Sequence, residues 1–70
     1  MNRLKKIRLL NDLSQNDMAR IIGKERTKIS RIELNKGELT ASEIINICKA
    51  LNLSADYLLG LIDINTNKRY

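Results

Sequence analysis

Several residue types that often carry chemistry are missing from this chain or nearly so. It contains no histidine, proline, phenylalanine or tryptophan, and only one cysteine, Cys48. A single cysteine cannot form an intrachain disulfide, and without histidine it has no partner for a zinc site or a catalytic thiolate. The chain also lacks a glycine-rich phosphate loop and paired acids with a plausible cleft. These absences predict a protein that is not an enzyme and uses no metal or cofactor, with Cys48 as a small buried core residue.

Long apolar stretches are absent as well. The longest apolar runs are only a few residues, too short for a transmembrane helix or for the apolar region of a secretory signal. We therefore expect a cytoplasmic protein with no membrane partner. A chain of 70 residues makes one domain, and a domain of this size buries only roughly 60% of its unfolded surface, so nearly every apolar position must enter the core.

Positive charge is in excess. The 13 Lys and Arg residues outnumber the 8 Asp and Glu residues and give a formal net charge of +5. In so small a domain, this excess favours a polyanionic partner, either nucleic acid or an anionic membrane surface. Charge alone is weak evidence, because many small domains are basic merely for solubility.

Turn and capping residues divide the chain into five predicted helices. Each predicted start is a residue whose side chain accepts backbone hydrogen bonds, and most ends are a Gly or Asn that tolerates left-handed backbone. Ser14 with Asp17, and Thr40 with Glu43, have the spacing of capping boxes. The predicted starts are Asn2, Ser14, Thr40 and Ser54, while the third helix follows Gly23 almost at once. The predicted ends are Asn11-Asp12, Gly23, Asn35, Asn52 and Gly60. In the first helix, Leu4, Ile7 and Leu10 are predicted to share one inward stripe, and Ile62 and Ile64 alternate as in a strand.

The second and third predicted helices have the spacing of a DNA-binding helix-turn-helix. Two helices that cross over a short turn need a small residue at their contact, a glycine in the turn and branched aliphatic residues beneath the second helix. Ala19, Gly23, Ile29 and Ile32 occupy these positions.

The residues LSQNDMARIIG followed by ISRIE resemble the phage repressor and Cro type of helix-turn-helix, the XRE-like family of bacterial and phage regulators. KALNLSADYLLG, residues 49–60, is similar to the closing helices of that family. The resemblance implies an all-α, compact five-helix lambda-repressor-like domain over residues 1–60, with helices 2 and 3 as the helix-turn-helix. The remaining residues, 61–70, are interpreted as a C-terminal tail.

The third helix, about residues 25–34, is the one expected to enter the major groove. Once Ile29 and Ile32 are buried, this helix must turn Thr27 and Arg31 to solvent. An arginine fork can bond both O6 and N7 of guanine, and a threonine methyl can touch a thymine methyl. The resemblance assigns the base contacts to Arg26, Thr27, Lys28 and Arg31, with Arg31 as the first choice.

The resemblance also implies roles for residues around this helix. A glutamine in the first turn of the second helix, here Gln15, binds the DNA backbone in the family, and Asn35 and Lys36 are similar candidates for phosphate contacts. The alternative for all three is a solvated surface position. Arg8 and Glu33 correspond to a family pair that bridges the first and third helices, so we assign them to the scaffold.

Two departures from the family pattern concern the third helix. Members often carry an apolar residue and a Ser or Thr cap where this chain has Lys24 and Glu25. Glu25 can accept hydrogen bonds from backbone N–H groups at the helix start or from cytosine N4. With this departure, the third helix can begin at a different residue than in other members. Leu34, on the outer face, is interpreted as an exposed leucine rather than as a contact to a thymine methyl.

A homodimer is expected because one helix in the major groove contacts too few base pairs to specify a single site in a genome. Two-fold pairing would separate two such helices by about 34 Å and require a near-palindromic operator. The predicted dimer surface comprises Leu58, Leu61, Ile62 and Ile64. The alternative is that Leu58 belongs to the core and the tail drapes over it.

The main hypothesis is a sequence-specific regulator of transcription that binds double-stranded DNA at the nucleoid and represses by covering a promoter. By resemblance, phage repressors, restriction–modification controllers and antitoxins all use this domain. An antitoxin would also bind a protein toxin, and a regulator that activates would contact RNA polymerase. A membrane-surface protein is a third class, disfavoured because the basic residues lie on a turn-linked helix pair rather than on one long amphipathic helix.

Overall fold

The computed structural model describes residues 3–62, which form five α-helices and no strand. The helices are α1 (Leu4–Leu10), α2 (Gln15–Ile22), α3 (Arg26–Glu33), α4 (Ala41–Leu51) and α5 (Ala55–Leu58). The all-α, five-helix architecture predicted from the sequence is confirmed. Ile62 follows the last helix in irregular backbone, and Ile64, the other half of the predicted alternation, lies outside the described residues.

Local side-chain and backbone signals set most helix boundaries. Ser14 and Thr40 form complete capping boxes, because each hydroxyl accepts the N–H of the third helical residue, whose carboxylate accepts the N–H of the cap in return. Gly23, Asn35 and Asn52 all adopt left-handed backbone with φ between 56° and 69°, a conformation that Gly and Asn accept at lower cost than most residues. These predicted boundaries are confirmed.

The first helix differs from its prediction in two respects. The residue in the N-cap position is Arg3 rather than Asn2, and it makes no side-chain capping bond. The expectation that Leu10 faces inward is wrong, because its exposed fraction is 67%. Each three-residue step along a helix rotates by about 60° away from the starting direction, so Leu10 has turned away from the stripe that Leu4 and Ile7 begin.

The core receives apolar side chains from every helix. Helix α2 packs against both α3 and α4, α4 against α5, and α1 against α3. The buried apolar residues are Leu4, Ile7, Met18, Ala19, Ile22, Ile29, Ile32, Ile47, Cys48, Leu53 and Leu58. Burial raises the pKa of the Cys48 thiol, which favours the protonated, unreactive form.

The closing helix places Leu58 in this core. The Leu58 side chain is 0% exposed, and its carbonyl accepts a hydrogen bond from the backbone N–H of Arg3. Its assignment to a dimer surface is therefore wrong, because the chain itself already covers it. Leu61 is exposed and Ile62 is half-buried. Within residues 3–62, no helix has the length and apolar character needed to cross a membrane.

Candidate nucleic-acid interface

Helices α2 and α3 meet across the short segment 23–25. Gly23 ends α2 with φ 69° and ψ 32°, and the N–H of Lys24 donates to the Ala19 carbonyl over 3.0 Å. Ala19 of α2 is buried, and Ile29 and Ile32 are fully buried beneath α3. The turn and the buried stripe together fix which side of α3 faces solvent.

The exposed side of α3 carries three residues that we call the reading surface: Arg26, Thr27 and Arg31. Glu25 occupies the N-cap position with extended backbone, but its side chain makes no capping bond. The first turn of α3 holds no acidic residue, so nothing within that turn offsets the positive charge of Arg26. This surface has the donors and the methyl group that major-groove contacts require.

Lys28 does not lie with the reading surface. Its ammonium forms an ion pair with Glu43 of α4, with Nζ at 2.7 Å from Oε2 and 2.8 Å from Oε1. The Lys28 side chain is 32% exposed, and that of Glu43 is only 2% exposed. In this structure, the predicted base contact of Lys28 is replaced by a contact within the protein, because Glu43 requires a partner for its buried charge.

Arg8 and Glu33 pair behind α3, as the resemblance implies. Arg8 Nε lies 2.7 Å from Glu33 Oε2, and Arg8 Nη2 donates to Oε1 over 3.2 Å. A third guanidinium donor reaches the Leu13 carbonyl at 3.0 Å. Both side chains of the pair are largely buried, and the hydrogen bond to Glu33 raises the pKa of Arg8. The guanidinium therefore joins α1 to the end of α3 through charge-assisted, two-pronged contact.

Gln15 extends this pair to the reading surface. Its Nε2 donates to Glu33 Oε1 over 3.1 Å, while its Oε1 accepts from Arg26 Nη1 over 3.2 Å. We call Arg8, Glu33, Gln15 and Arg26 the polar chain. Sequence reasoning expected Gln15 to meet DNA phosphate but did not foresee that it joins Glu33 to Arg26. Its phosphate contact remains a prediction, and so do those of Asn35 and Lys36.

The loop after α3 holds the remaining candidates. Asn35 and Lys36 are both exposed directly beyond the helix end, and Leu34 in the C-cap position is exposed as well. Arg31 Nη2 donates to the Lys36 carbonyl over 3.3 Å, a long bond in an exposed position. The loop therefore places two polar side chains next to Arg31 without enclosing it.

The carboxylates of Glu43 and Asp17 form ion pairs in addition to capping their helices. Glu43 accepts the Thr40 N–H as a capping residue and also holds Lys28. Burial raises the pKa of Glu43, but the hydrogen bonds from Lys28 and Thr40 outweigh that effect and leave it below its ordinary value. On α2, Asp17 pairs with Arg20, and its hydrogen bonds with Ser14 are the main reason that its pKa is lowered. The capping-box spacing indicated both acids, although not their cationic partners.

Comparison with known proteins agrees with this geometry. A family model described as a helix-turn-helix domain matches residues 1–64. Control protein C.SmaI of Serratia marcescens is 42% identical over 52 residues, which make up 74% of this chain and 62% of that protein. The chain thus spans less than two thirds of that relative's length. Because the family match covers most of the chain, the protein belongs to the XRE-type helix-turn-helix family of DNA-binding transcriptional regulators.

Proposed function

We propose that the protein is a sequence-specific regulator that binds a near-palindromic double-stranded operator as a homodimer and represses transcription by covering a promoter. The observation that carries the proposal is the reading surface, exposed on a helix whose opposite side is fixed by buried Ile29 and Ile32. A helix held in this way presents its outward side chains at a defined angle to the major groove.

The base contacts of the proposal are Arg26, Thr27 and Arg31. Arg31 lies one turn beyond Thr27 on the same side of α3, and both side chains are exposed. Arg26 is oriented by Gln15 before DNA arrives, which lowers the entropy lost when its guanidinium binds. Lys28 is left out of this set because its ammonium is paired with Glu43.

Phosphate contacts are assigned to Gln15, Asn35 and Lys36. Gln15 is the first residue of α2, where unpaired backbone N–H groups and the helix dipole favour an anion. Asn35 and Lys36 are exposed at the other end of the reading surface. Such contacts position a protein on DNA and add salt-dependent affinity without selecting sequence.

Dimerisation is supported by size and by exposed apolar residues. The longest extent of the fold is 29 Å, shorter than the separation of about 34 Å between successive major grooves on one face of DNA. One copy therefore presents one reading surface to one groove. Leu61 is 71% exposed next to the half-buried Ile62, and we assign both to the surface between copies together with Ile64, which lies outside the described residues.

The regulatory role is favoured over the antitoxin role by the comparison. The relative is named a control protein, and a regulator of that class needs the reading surface and a second copy but no toxin. We place the protein in the cytoplasm at the nucleoid, where such an operator lies. RNA polymerase would be a partner only if the protein also activates transcription.

Selection from a randomised duplex pool at roughly physiological salt tests this proposal. Retained duplexes should contain an inverted repeat whose half-sites lie about one helical turn apart. Retention that is independent of sequence and disappears with modest added salt would instead indicate purely electrostatic binding. In that case the proposed operator binding is refuted, and co-expression with candidate protein partners becomes the next step.

Arg31→Ala tests the reading surface on the selected site. The loss of one two-pronged guanine contact costs about 1–3 kcal/mol, so affinity should fall about tenfold or more and the preference at one base pair should relax. Lys49→Ala removes the same charge from an exposed position in the last turn of α4, and it should leave that preference intact. Equal effects of the two changes would show that Arg31 supplies only charge.

A further inference from the structure

The ion pair between Lys28 and Glu43 joins the reading helix to the N-terminus of α4. We refer to it as the α3–α4 pair. Both carboxylate oxygens of Glu43 bind the Lys28 ammonium, at 2.8 and 2.7 Å, and Oε1 also accepts the Thr40 N–H at 2.8 Å. Glu43 is almost completely buried, whereas Lys28 is at the edge of solvent. The acid is therefore fixed by its surroundings, and the lysine is the partner that can move.

Lys28 is well placed to reach DNA if it were released. It lies three residues before Arg31, which is about 60° around the helix axis from it. A lysine side chain is long and flexible, with a compact charge that suits phosphate but selects no base. A free ammonium at this position would add an ionic contact beside the reading surface.

Resting on the proposed operator binding, we infer that Glu43 is a positioning residue for specificity, which acts by holding Lys28 away from the DNA backbone. The α3–α4 pair suppresses one contact that would strengthen binding to every sequence alike. Affinity for unrelated DNA stays low as a result, while Arg26 and Arg31 keep their access to base edges. The lowered pKa of Glu43 supports this role, since the carboxylate remains charged at neutral pH and retains its hold on Lys28.

Glu43→Gln is the variant that separates release of Lys28 from loss of the helix cap. Glutamine at the third helical position still completes a capping box with Thr40, but it no longer carries the charge that binds the ammonium. Lys28→Met removes the cation and keeps a side chain of similar length. The double variant Lys28→Met/Glu43→Gln lacks both charges, so it neither frees a lysine nor leaves a buried carboxylate unpaired.

Fluorescence anisotropy with a random-sequence duplex of fixed length, between about 50 and 200 mM salt, gives the decisive readout. Each additional phosphate contact steepens the plot of log affinity against log salt by about 0.9. Glu43→Gln should show that steeper slope and a lower ratio of specific to random-sequence affinity. The double variant should return to the wild-type slope, and Lys28→Met alone should match it.

Ser54→Ala serves as a control for stability. It removes the hydroxyl that caps α5 and leaves both members of the α3–α4 pair in place, so it should lower the melting temperature without changing the salt slope. A purely structural role for Glu43 would give Glu43→Gln the same behaviour as this control.

Three results would overturn the inference. The first is a wild-type slope for folded Glu43→Gln. The second is a slope about 0.9 shallower for Lys28→Met, which would show that Lys28 already contacts DNA in the wild type; this measurement decides the matter if Glu43→Gln does not fold. The third is a wild-type protein that selects no DNA sequence, which removes the proposed function and the inference together.

Discussion

Glu33→Ala is expected to harm folding more than base preference. The Glu33 carboxylate is 5% exposed and accepts two hydrogen bonds from Arg8 and one from Gln15. Within residues 3–62, its removal leaves the largely buried guanidinium of Arg8 with only the Leu13 carbonyl as a partner. Breaking a buried pair by removing one member costs about 3–5 kcal/mol.

That cost is large for this chain. A domain of 70 residues has a total stability of about 4–10 kcal/mol, so the variant loses roughly a third or more of it. For small domains each kcal/mol moves the melting temperature by about 4–8 °C, which predicts a decrease of about 12 °C or more. The melting temperature of Glu33→Gln should lie between those of the wild type and Glu33→Ala, because the amide oxygen can still accept a hydrogen bond from Arg8 but carries no charge.

Thermal melting followed by circular dichroism measures the stability of each variant. Operator preference is then measured at a temperature well below the lowest midpoint, so that unfolding does not contribute. If Glu33→Ala melts at the wild-type temperature but no longer prefers its operator, the scaffold role is refuted and Glu33 acts in DNA recognition instead.

Three further predictions concern other parts of the fold. Gly23→Ala should lower the free energy of unfolding by about 1–2 kcal/mol in a urea titration, because Gly23 has a positive φ. Gly37→Ala should leave that free energy unchanged, because a Cβ at Gly37 meets only ordinary van der Waals contacts. Equal decreases for the two variants would contradict this reasoning. The lowered pKa of Glu43 means that its stabilising contribution is complete above the unfolded-state pKa of about 4.3 and is lost as pH falls through the folded-state value. Between neutral pH and a pH of about 3, the melting temperature should therefore fall less steeply for Glu43→Gln than for the wild type. Equal decreases in the two proteins would show that the Glu43 carboxylate does not supply this stability. Leu61→Lys should weaken self-association in sedimentation experiments without affecting the melt of the monomer, whereas Leu10→Lys, at a similarly exposed position, should leave association unchanged; no difference between them would exclude Leu61 from the interface.

The sequence predicted the features that depend on near neighbours. The capping boxes at Ser14 and Thr40 and the left-handed ends at Gly23 and Asn52 need only residues within one helical turn. The buried stripe of α3 followed from its spacing. Each of these is a local choice of backbone conformation, which one stretch of chain determines.

Contacts between distant segments were harder to predict. Lys28 and Glu43 are 15 residues apart, and the resemblance that made Lys28 a base contact carried no information about a partner on α4. The expected phosphate contact of Gln15 followed from the resemblance, but its hydrogen bond with Arg26 depends on the angle between α2 and α3. Leu58 was assigned to a surface because apolar spacing alone does not distinguish a core side from an interface side.

The polar chain has a consequence for protein engineering. Segment 14–34 looks like a portable module, but Glu33 receives two of its three hydrogen bonds from Arg8, which lies on α1. Grafting that segment onto another scaffold would carry along a buried carboxylate without its cation. A transplant with altered operator specificity therefore has to include Arg8 or supply another cation at its place beside Glu33.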